Sequence, residues 1–247
     1  MNIMLITGAS RGIGAATAKL AAAAGYFVVV NYHNSKAAAE QLVSEIQSNN
    51  GGAVSIQADI ADEAQIVNMF SAIDKLQGSL VSVINNAGIL EPQMRLETMD
   101  IARLQRIFSA NITGQFICSR EAVKRMSVKH GGKGGTIVNV SSVASLTGSP
   151  NEYIDYAASK GAMDAMTIGL SKEVAAEGIR VNAVRPGFIY TDIHASGGEP
   201  DRVNRLKESI PMKRGGTVEE VAEAILWLAG DKSSYTTGSF INIAGGR

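Results

Sequence analysis

The stretch LITGASRGIGAATAKL, residues 5–20, places three glycines between an apolar run and a segment rich in helix formers. The glycines are Gly8, Gly12 and Gly14, in the spacing G-x-x-x-G-x-G. Glycines let the chain turn sharply and lie close to a ligand, and the following helix would present free N–H groups and a partial positive charge. The stretch therefore predicts a strand, a phosphate-binding turn and a helix, with a tight turn that binds no ligand as the alternative.

The alternation of strand and helix continues along the rest of the chain. Short β-rich runs recur at 3–7, 27–30, 53–58, 80–85, 136–141, 179–184 and 239–244. Most are continuously apolar, as is typical of strands buried on both faces. Longer segments rich in helix formers lie at 12–24, 36–49, 62–77, 100–129, 155–177 and 217–230. This pattern predicts an α/β fold of the doubly wound Rossmann type, with a seven-stranded parallel sheet and helices on both faces.

One segment interrupts this alternation. Residues 190–215 are polar and follow the last long strand but one. Segments of this kind often form lids or binding loops, so we expect a substrate-binding loop here. With no linker and no repeat elsewhere, the sequence predicts one domain over residues 1–247.

The composition argues against several classes of partner and protein, although it leaves a local basic patch possible. The chain has 23 basic and 23 acidic residues, which argues against a surface for nucleic acid or an anionic membrane. Its single cysteine, Cys118, cannot form an internal disulfide, and its apolar runs are shorter than the ~18 residues of a membrane span. With no sign of a signal peptide, we expect a cytoplasmic protein. No metal site is expected, because the histidines are scattered: His33, His130 and His194.

The end of the second strand indicates which dinucleotide would bind. Asn31 stands where dinucleotide-binding folds place an acidic residue on the ribose, and no carboxylate follows before Glu40. A carboxylate would repel a 2′-phosphate, so its absence favours NADP(H) over NAD(H). Further polar residues support the same choice: Arg11, Asn34, Ser35 and Lys36. Alternatively, Arg11 is only solvated and Ser35 only caps the next helix.

A second motif, YIDYAASK at residues 153–160, contains two tyrosines and a lysine. Tyr156 and Lys160 are four residues apart, which on a helix brings their Cβ atoms to ~5–6 Å. Tyr153 is seven residues from Lys160, or ~10.5 Å along the axis. A tyrosine has a pKa of ~10, which a nearby ammonium and an oxidised nicotinamide would lower. The spacing makes Tyr156 the better candidate for acid–base chemistry, although such a pair alone is also common surface decoration.

Two serines end the strand before this motif. Ser141 and Ser142 are neighbours, and neighbouring strand residues point to opposite faces. At most one of them therefore faces a ligand bound beyond the carboxyl end of the strand.

Six motifs occur together: TGASRGIG (7–14), NNAG (85–88), Asn111 in SANITGQF, NVSS (139–142), YAASK (156–160) and RPGFIYT (185–191). In this order they resemble the short-chain dehydrogenase/reductase family over essentially the whole chain. The resemblance implies that Tyr156 is the catalytic acid/base and that Lys160 lowers its pKa and holds the nicotinamide ribose. It further implies that Ser142 bonds the substrate oxygen and that Asn111 anchors a water chain between Lys160 and solvent.

The resemblance also implies a set of cofactor contacts. The glycine turn would hold the adenosine and pyrophosphate, through Gly8, Ser10, Arg11, Gly12, Ile13 and Gly14, with Asn31, Asn34 and Ser35 at the ribose. Asp59 and Ile60 would contact the adenine. The remaining wall and the grip on the carboxamide would come from Asn86, Ala87, Gly88, Pro186, Gly187, Ile189 and Thr191.

The chain departs from the family at one place. Ser142 lies fourteen residues before Tyr156, one more than the commonest spacing, which points to an insertion within 146–155. Ser145 is the alternative to Ser142, although it lacks the NVSS context. The insertion also moves Tyr153, so we expect Tyr153 to contact substrate and, with residues 190–215, to influence specificity.

The resemblance leads to an NADP(H)-dependent oxidoreductase acting on a carbonyl or secondary alcohol. The nearest-looking members are 3-oxoacyl-carrier-protein reductases and glucose dehydrogenases, but the substrate stays open. The family also implies a homotetramer paired through helices 100–129 and 155–177. The alternative is a regulatory protein that binds a dinucleotide without turnover; a full set of Tyr156, Lys160, Ser142 and Asn111 argues against it.

Overall fold

The computed structural model describes residues 1–247 and contains one seven-stranded sheet in the order β3-β2-β1-β4-β5-β6-β7. All neighbouring strands are parallel. The strands are β1 Asn2–Ile6, β2 Phe27–Tyr32, β3 Gly52–Gln57, β4 Ser79–Asn85, β5 Gly135–Val140, β6 Ile179–Pro186 and β7 Phe240–Ile243. The predicted α/β doubly wound fold with a seven-stranded parallel sheet is confirmed.

Helices cover both faces of the sheet. In chain order they are α1 Gly12–Ala23, α2 Lys36–Ser48, α3 Glu63–Ile73, α4 Ile101–Phe108, α5 Gly114–Met126, α6 Ala144–Thr147, α7 Ile154–Glu173, α8 Ile193–Ser196, α9 Arg202–Leu206 and α10 Val218–Ala229. None of them combines the length and apolar character that a crossing of the membrane would require.

The core consists of two apolar clusters, one on each face of the sheet. Alternate residues of a strand point to opposite faces, so Met4 and Ile6 of β1 join one cluster with α1, α2 and α10. Ile3 and Leu5 join the other cluster with α3 and α5. Because each of these side chains is essentially fully buried, each contributes about 1.5–3 kcal/mol to folding. The unbroken apolar pattern of β1 thus reflects burial on both sides.

The structure corrects one predicted helix. Residues 100–129 were expected as a single helix, but a π-helical turn at Ser109–Thr113 separates α4 from α5. Asn111 lies in this turn, where its Oδ1 accepts from the Ile89 N–H at 2.8 Å and its Nδ2 donates to the Ile89 carbonyl at 3.0 Å. These bonds to a distant loop accompany the departure from regular helix, and wide turns of this kind often occur at functional sites.

The strand order reverses between the neighbouring strands β1 and β4. From β1 the chain adds β2 and β3 toward one edge of the sheet, and it then returns to add β4 to β7 toward the other edge. In doubly wound folds, ligands bind outside the carboxyl ends of the strands at such a switch point. The glycine turn follows β1, and the NNAG segment closes β4, so both motifs lie at this edge.

Candidate active site

A cleft of about 720 Å³ lies along the carboxyl edge of the sheet. This volume is within the usual range for small-molecule sites. Twenty of the residues singled out from the sequence line it: Gly8, Ser10, Arg11, Gly12, Ile13, Asn34, Ser35, Asp59, Ile60, Asn86, Ala87, Gly88, Ser142, Tyr153, Tyr156, Lys160, Pro186, Gly187, Ile189 and Thr191. The fold therefore brings residues that follow strands β1 to β6 to one site.

Asn31 does not line this cleft, contrary to the expectation that it contacts the cofactor. Its side chain is 1% exposed and lies beneath the glycine turn. There its Oδ1 accepts from the Gly8 N–H at 3.1 Å, and its Nδ2 donates to the Ala58 carbonyl at 3.1 Å. A residue between two backbone segments satisfies groups that would otherwise be buried without partners, so Asn31 supports the turn from behind.

Gly14 also lies behind the cleft wall rather than on it. A Cβ atom at this position would lie 2.6 Å from Asn86 Nδ2 and 2.8 Å from Ala9 Cα. Asn86 uses that nitrogen to donate to the Thr7 carbonyl at 2.8 Å, which joins the turn to the end of β4. The absent side chain therefore lets α1 approach the sheet closely.

Substituting Gly14→Ala is expected to destabilise the fold by about 1–3 kcal/mol, because the added methyl group has no space and displaces Asn86. Urea unfolding followed by circular dichroism would measure the change. Gly169→Ala is the matched control: it adds the same methyl group within helix α7, where no atom lies within 4 Å. Equal stability of Gly14→Ala and the parent protein would contradict this account.

The first turn of α1 suits a phosphate group. Arg11 is its N-cap residue but makes no side-chain cap, and the first turn contains no acidic residue. The first N–H groups of a helix have no intrahelical partners, and no side chain in this turn satisfies them. Across the cleft, Thr191 Oγ1 is buried without a hydrogen-bond partner, and Thr191 is the nearest neighbour of a Cβ built at Gly12, at 3.8 Å. Free donors opposite an unpaired hydroxyl fit the phosphates of a dinucleotide.

Tyr156 and Lys160 lie together deep in the cleft, as their spacing predicts. Lys160 Nζ is 5.5 Å from the centre of the Tyr156 ring and donates to the Val140 carbonyl at 2.8 Å. Burial lowers the pKa of Lys160 to about 8, against the opposing charge of Asp164. Burial raises the pKa of Tyr156 to about 12, and a hydrogen bond with Ser142 opposes this rise only in part.

The sequence predicts a lowered Tyr156 pKa beside both an ammonium and an oxidised nicotinamide, whereas in the chain alone burial outweighs the ammonium. The Lys160 ammonium is directed at a backbone carbonyl of β5 rather than at the phenol oxygen. Its charge therefore stabilises the phenolate too weakly to offset the loss of solvation. Sequence spacing identified the neighbours correctly, but it could not show where the ammonium points.

The two serines that end β5 have different surroundings. The Ser141 hydroxyl is buried and donates to Asp164 Oδ1 at 2.6 Å. The Ser142 hydroxyl accepts from the Ala144 N–H at 3.1 Å and lies on the cleft. Ser145, the alternative, donates to the Ser142 carbonyl at 2.8 Å and does not line the cleft. The geometry thus favours Ser142 as the serine available to a substrate oxygen.

The segment in which the sequence predicts an extra residue includes a compact loop between α6 and α7. Three of its residues have left-handed backbone conformations: Gly148 at φ 73°, Ser149 at φ 42° and Asn151 at φ 63°. Ser149 and Pro150 line the cleft. This loop therefore forms part of the cleft wall.

Tyr153 follows this loop and contacts the polar segment 190–215. Its hydroxyl donates to the Gly197 carbonyl at 3.1 Å, and the Arg202 guanidinium lies 5.1 Å from its ring centre. Arg202 also pairs with Glu152 and with Glu199. Sequence reasoning missed Arg202 and Glu152, because two charged residues 50 positions apart in polar segments carry no periodic signal. These contacts hold the segment 190–215 against the start of α7, beside the cleft.

Comparison with known proteins gives a consistent result. A family model described as enoyl-(acyl carrier protein) reductase matches residues 8–247. The uncharacterized oxidoreductase YgfF of Escherichia coli is 60% identical over 247 residues, covering 100% of both chains. A 3-oxoacyl-(acyl-carrier-protein) reductase of Synechocystis sp. is 40% identical over 99% of this chain and 96% of its own. One from Staphylococcus aureus is 36% identical over 98% and 96%, respectively.

Proposed function

We propose a specific reaction for this chain, which belongs to the short-chain dehydrogenase/reductase family of NAD(P)-dependent oxidoreductases. The reaction is hydride transfer between NADP(H) and a carbonyl or secondary alcohol substrate. The observation that carries the proposal is that Tyr156, Lys160 and Ser142 line the same cleft as the glycine turn. A phosphate-binding turn explains cofactor binding alone, whereas an acid–base pair beside a serine hydroxyl is needed for turnover.

Each of these side chains has a distinct role in the proposal. Tyr156 gives the substrate oxygen its proton in reduction and removes it in oxidation, while Ser142 holds that oxygen by a hydrogen bond. For this role the phenol pKa of about 12 must fall toward neutrality, which a positive charge beside the phenol oxygen would achieve. When bound, the nicotinamide supplies or accepts the hydride.

Asn111 contributes to proton supply in the same proposal. A Cβ built at Gly88 would lie 3.4 Å from Asn111 Oδ1 and 3.6 Å from Lys160 Nζ, so both side chains border one small gap. A water molecule in that gap would have polar partners on both sides, as a bound water requires. Asn111 and Lys160 would thereby connect Tyr156 to solvent.

A panel of carbonyl compounds and secondary alcohols, followed by NADPH absorbance, tests the proposal. The panel includes 3-oxoacyl thioesters, because two of the relatives are named for that substrate class. We expect oxidation of NADPH with at least one carbonyl and formation of NADPH from its alcohol. Cofactor binding without turnover across the whole panel would support the non-catalytic alternative.

The preference for NADP(H) rests on the residues at the adenosine end. Arg11, Asn34 and Ser35 line the cleft, and Asn31 brings no carboxylate to the ribose. Arg11 is exposed and has no acidic partner, so its guanidinium is available to a 2′-phosphate.

Substituting Arg11→Ala is expected to weaken NADPH binding about tenfold or more, the usual effect of losing a hydrogen bond to a charged group. NADH binding should change much less, because NADH lacks the 2′-phosphate. Fluorescence titration of both cofactors would measure the effect. Lys19→Ala removes another cation from α1, one paired with Glu45, and serves as the control. Equal losses for both cofactors would exclude this role of Arg11.

The proposal extends to substrate selection, assembly and location. The loop at 190–215 and Tyr153 would select the substrate within one domain of residues 1–247. A homotetramer would bury exposed apolar side chains on α4, α5 and α7, namely Ile101, Phe116, Ile154 and Ile168. Light scattering would give the molecular mass of the assembly. A cytoplasmic location, predicted from the sequence, belongs to the same proposal.

A further inference from the structure

A buried ion pair lies directly beside the catalytic tyrosine, between α4 and the start of α7. The side chains of Arg103 and Asp155 are 3% and 0% exposed. Arg103 Nε donates to Asp155 Oδ2 at 2.7 Å, and Nη2 donates to Oδ1 at 3.4 Å. The third nitrogen, Nη1, donates to the Pro92 carbonyl at 2.7 Å. The guanidinium thus joins three segments: α4, α7 and the loop after β4.

Such a pair contributes little to stability in comparison with apolar packing. Removing two charges from water costs roughly what their attraction returns, and apolar replacements of similar volume are often neutral or stabilising. The planar fork of arginine does, however, fix the position and orientation of a carboxylate. A role in geometry therefore explains the Arg103–Asp155 pair better than a role in stability.

The geometry that this pair fixes is that of Tyr156. Asp155 Oδ1 accepts from the Tyr156 backbone N–H at 2.9 Å, so the carboxylate held by Arg103 is bonded to the tyrosine itself. One helical turn further, Asn111 Nδ2 donates to Ser159 Oγ at 3.2 Å. The continuous segment 101–113 therefore holds α7 on both sides of Tyr156.

Both holding residues also contact the loop after β4. Arg103 bonds the carbonyl of Pro92, and Asn111 bonds the backbone of Ile89. Since Ile89 and Leu90 line the cleft, this segment aligns the tyrosine with the cleft wall opposite it.

We propose that Arg103 and Asp155 are positioning residues that hold the Tyr156 phenol at the place where it exchanges a proton with substrate. The inference rests on the proposed function, in which Tyr156 is the acid/base. Neither residue lines the cleft, so they act through the helix and not on the substrate.

Two single substitutions test the pair by changing it conservatively. Arg103→Lys keeps the charge but loses the fork, and Asp155→Asn removes the charge but keeps an oxygen acceptor for the Tyr156 N–H. We expect each to lower kcat about 100-fold, the loss associated with a displacement of about 1 Å, with KM for the carbonyl and Kd for NADPH unchanged. Arg125→Lys is the matched control. Arg125, on α5, makes a similar two-nitrogen contact with Asp74, and the substitution removes that contact away from α7, so kcat should be unchanged.

A second readout does not depend on turnover. Hydrogen exchange of the peptide covering residues 153–158 should be faster in both variants, because the Tyr156 N–H loses a fixed acceptor. If the parent protein turned over no substrate, the proposed function would fail, whereas unchanged exchange would refute the positioning role alone.

Two outcomes in the single variants would overturn the inference. One is a lower melting temperature with unchanged kcat, and the other is a raised KM with unchanged kcat. If both single variants are insoluble, the double variant Arg103→Met/Asp155→Leu leaves no buried charge unpaired. It should fold and still show the loss in kcat, and full activity in it would overturn the proposal.

Discussion

Replacing Tyr156 with phenylalanine is expected to lower kcat by about 10²–10⁴-fold, the usual contribution of a positioned acid–base group. Phenylalanine keeps the ring beside Lys160 but removes the hydroxyl to which our proposal assigns the proton exchange. NADPH should still bind, because the glycine turn and the NNAG segment are unaffected. Stopped-flow absorbance would give turnover, and NADPH fluorescence would give binding.

Tyr153→Phe is the matched control for this substitution. It removes the hydroxyl that donates to the Gly197 carbonyl at 3.1 Å, one helical turn from Tyr156. We expect a changed KM for substrate, since the hydrogen bond between Tyr153 and the segment 190–215 is lost, but continued turnover. Substantial kcat in Tyr156→Phe would exclude Tyr156 as the acid/base, and a loss of kcat in Tyr153→Phe as well would assign the chemistry to Tyr153.

Replacing Lys160 with methionine is expected to remove most turnover. In the protein without cofactor, it should also remove the contribution of Lys160 to the pH dependence of the free energy of unfolding. Lys160 has a pKa of about 8 in the folded chain against 10.5 as the ordinary value. Between these values the unfolded chain holds a proton that the folded chain has released, so the free energy of unfolding rises with pH. Below about pH 8 the folded state carries the full cost of a buried charge, about 3 kcal/mol.

Urea unfolding at pH 7.5 and 9.5 would measure the contribution of Lys160 as the difference in slope between the parent protein and Lys160→Met. Two buried groups act in the opposite direction in both proteins: the Cys118 thiol, whose pKa is raised from 9.0 to about 12, and Tyr156, whose pKa is raised from 10.0 to about 12. Lys172→Met, at the exposed end of the same helix, is the control and should keep the slope. Equal slopes in the parent protein and in Lys160→Met would show that another group releases the proton.

The sequence predicts the architecture well because strand burial is recorded locally. The runs around β1 and β2 are apolar on both faces, and the glycines that follow β1 indicate the turn without information from elsewhere in the chain. Similarly, the four-residue spacing of Tyr156 and Lys160 is a property of any helix. These features depend on near neighbours, so periodicity is enough to find them.

The features that the sequence did not predict all depend on distant partners. Asn31 is polar in any reading, but only the fold shows that its partners are Gly8 and Ala58 behind the turn. The π-helical turn at 109–113 reflects bonds to Ile89, and the Arg103–Asp155 pair joins residues 52 positions apart. The direction of the Tyr156 pKa likewise depends on where the Lys160 ammonium points. Such contacts leave no periodic trace along the chain.

The position of Asn31 also limits how the cofactor preference that we propose for this enzyme could be re-engineered. Placing aspartate at residue 31, the obvious route to an NAD(H)-preferring variant, would remove the donor to the Ala58 carbonyl and set a carboxylate oxygen against it. A carboxylate buried there would have no counter-ion, so it would destabilise the glycine turn even in the absence of cofactor. Asn34 and Ser35 are better positions for a redesign, because they line the cleft and their side chains do not support the glycine turn.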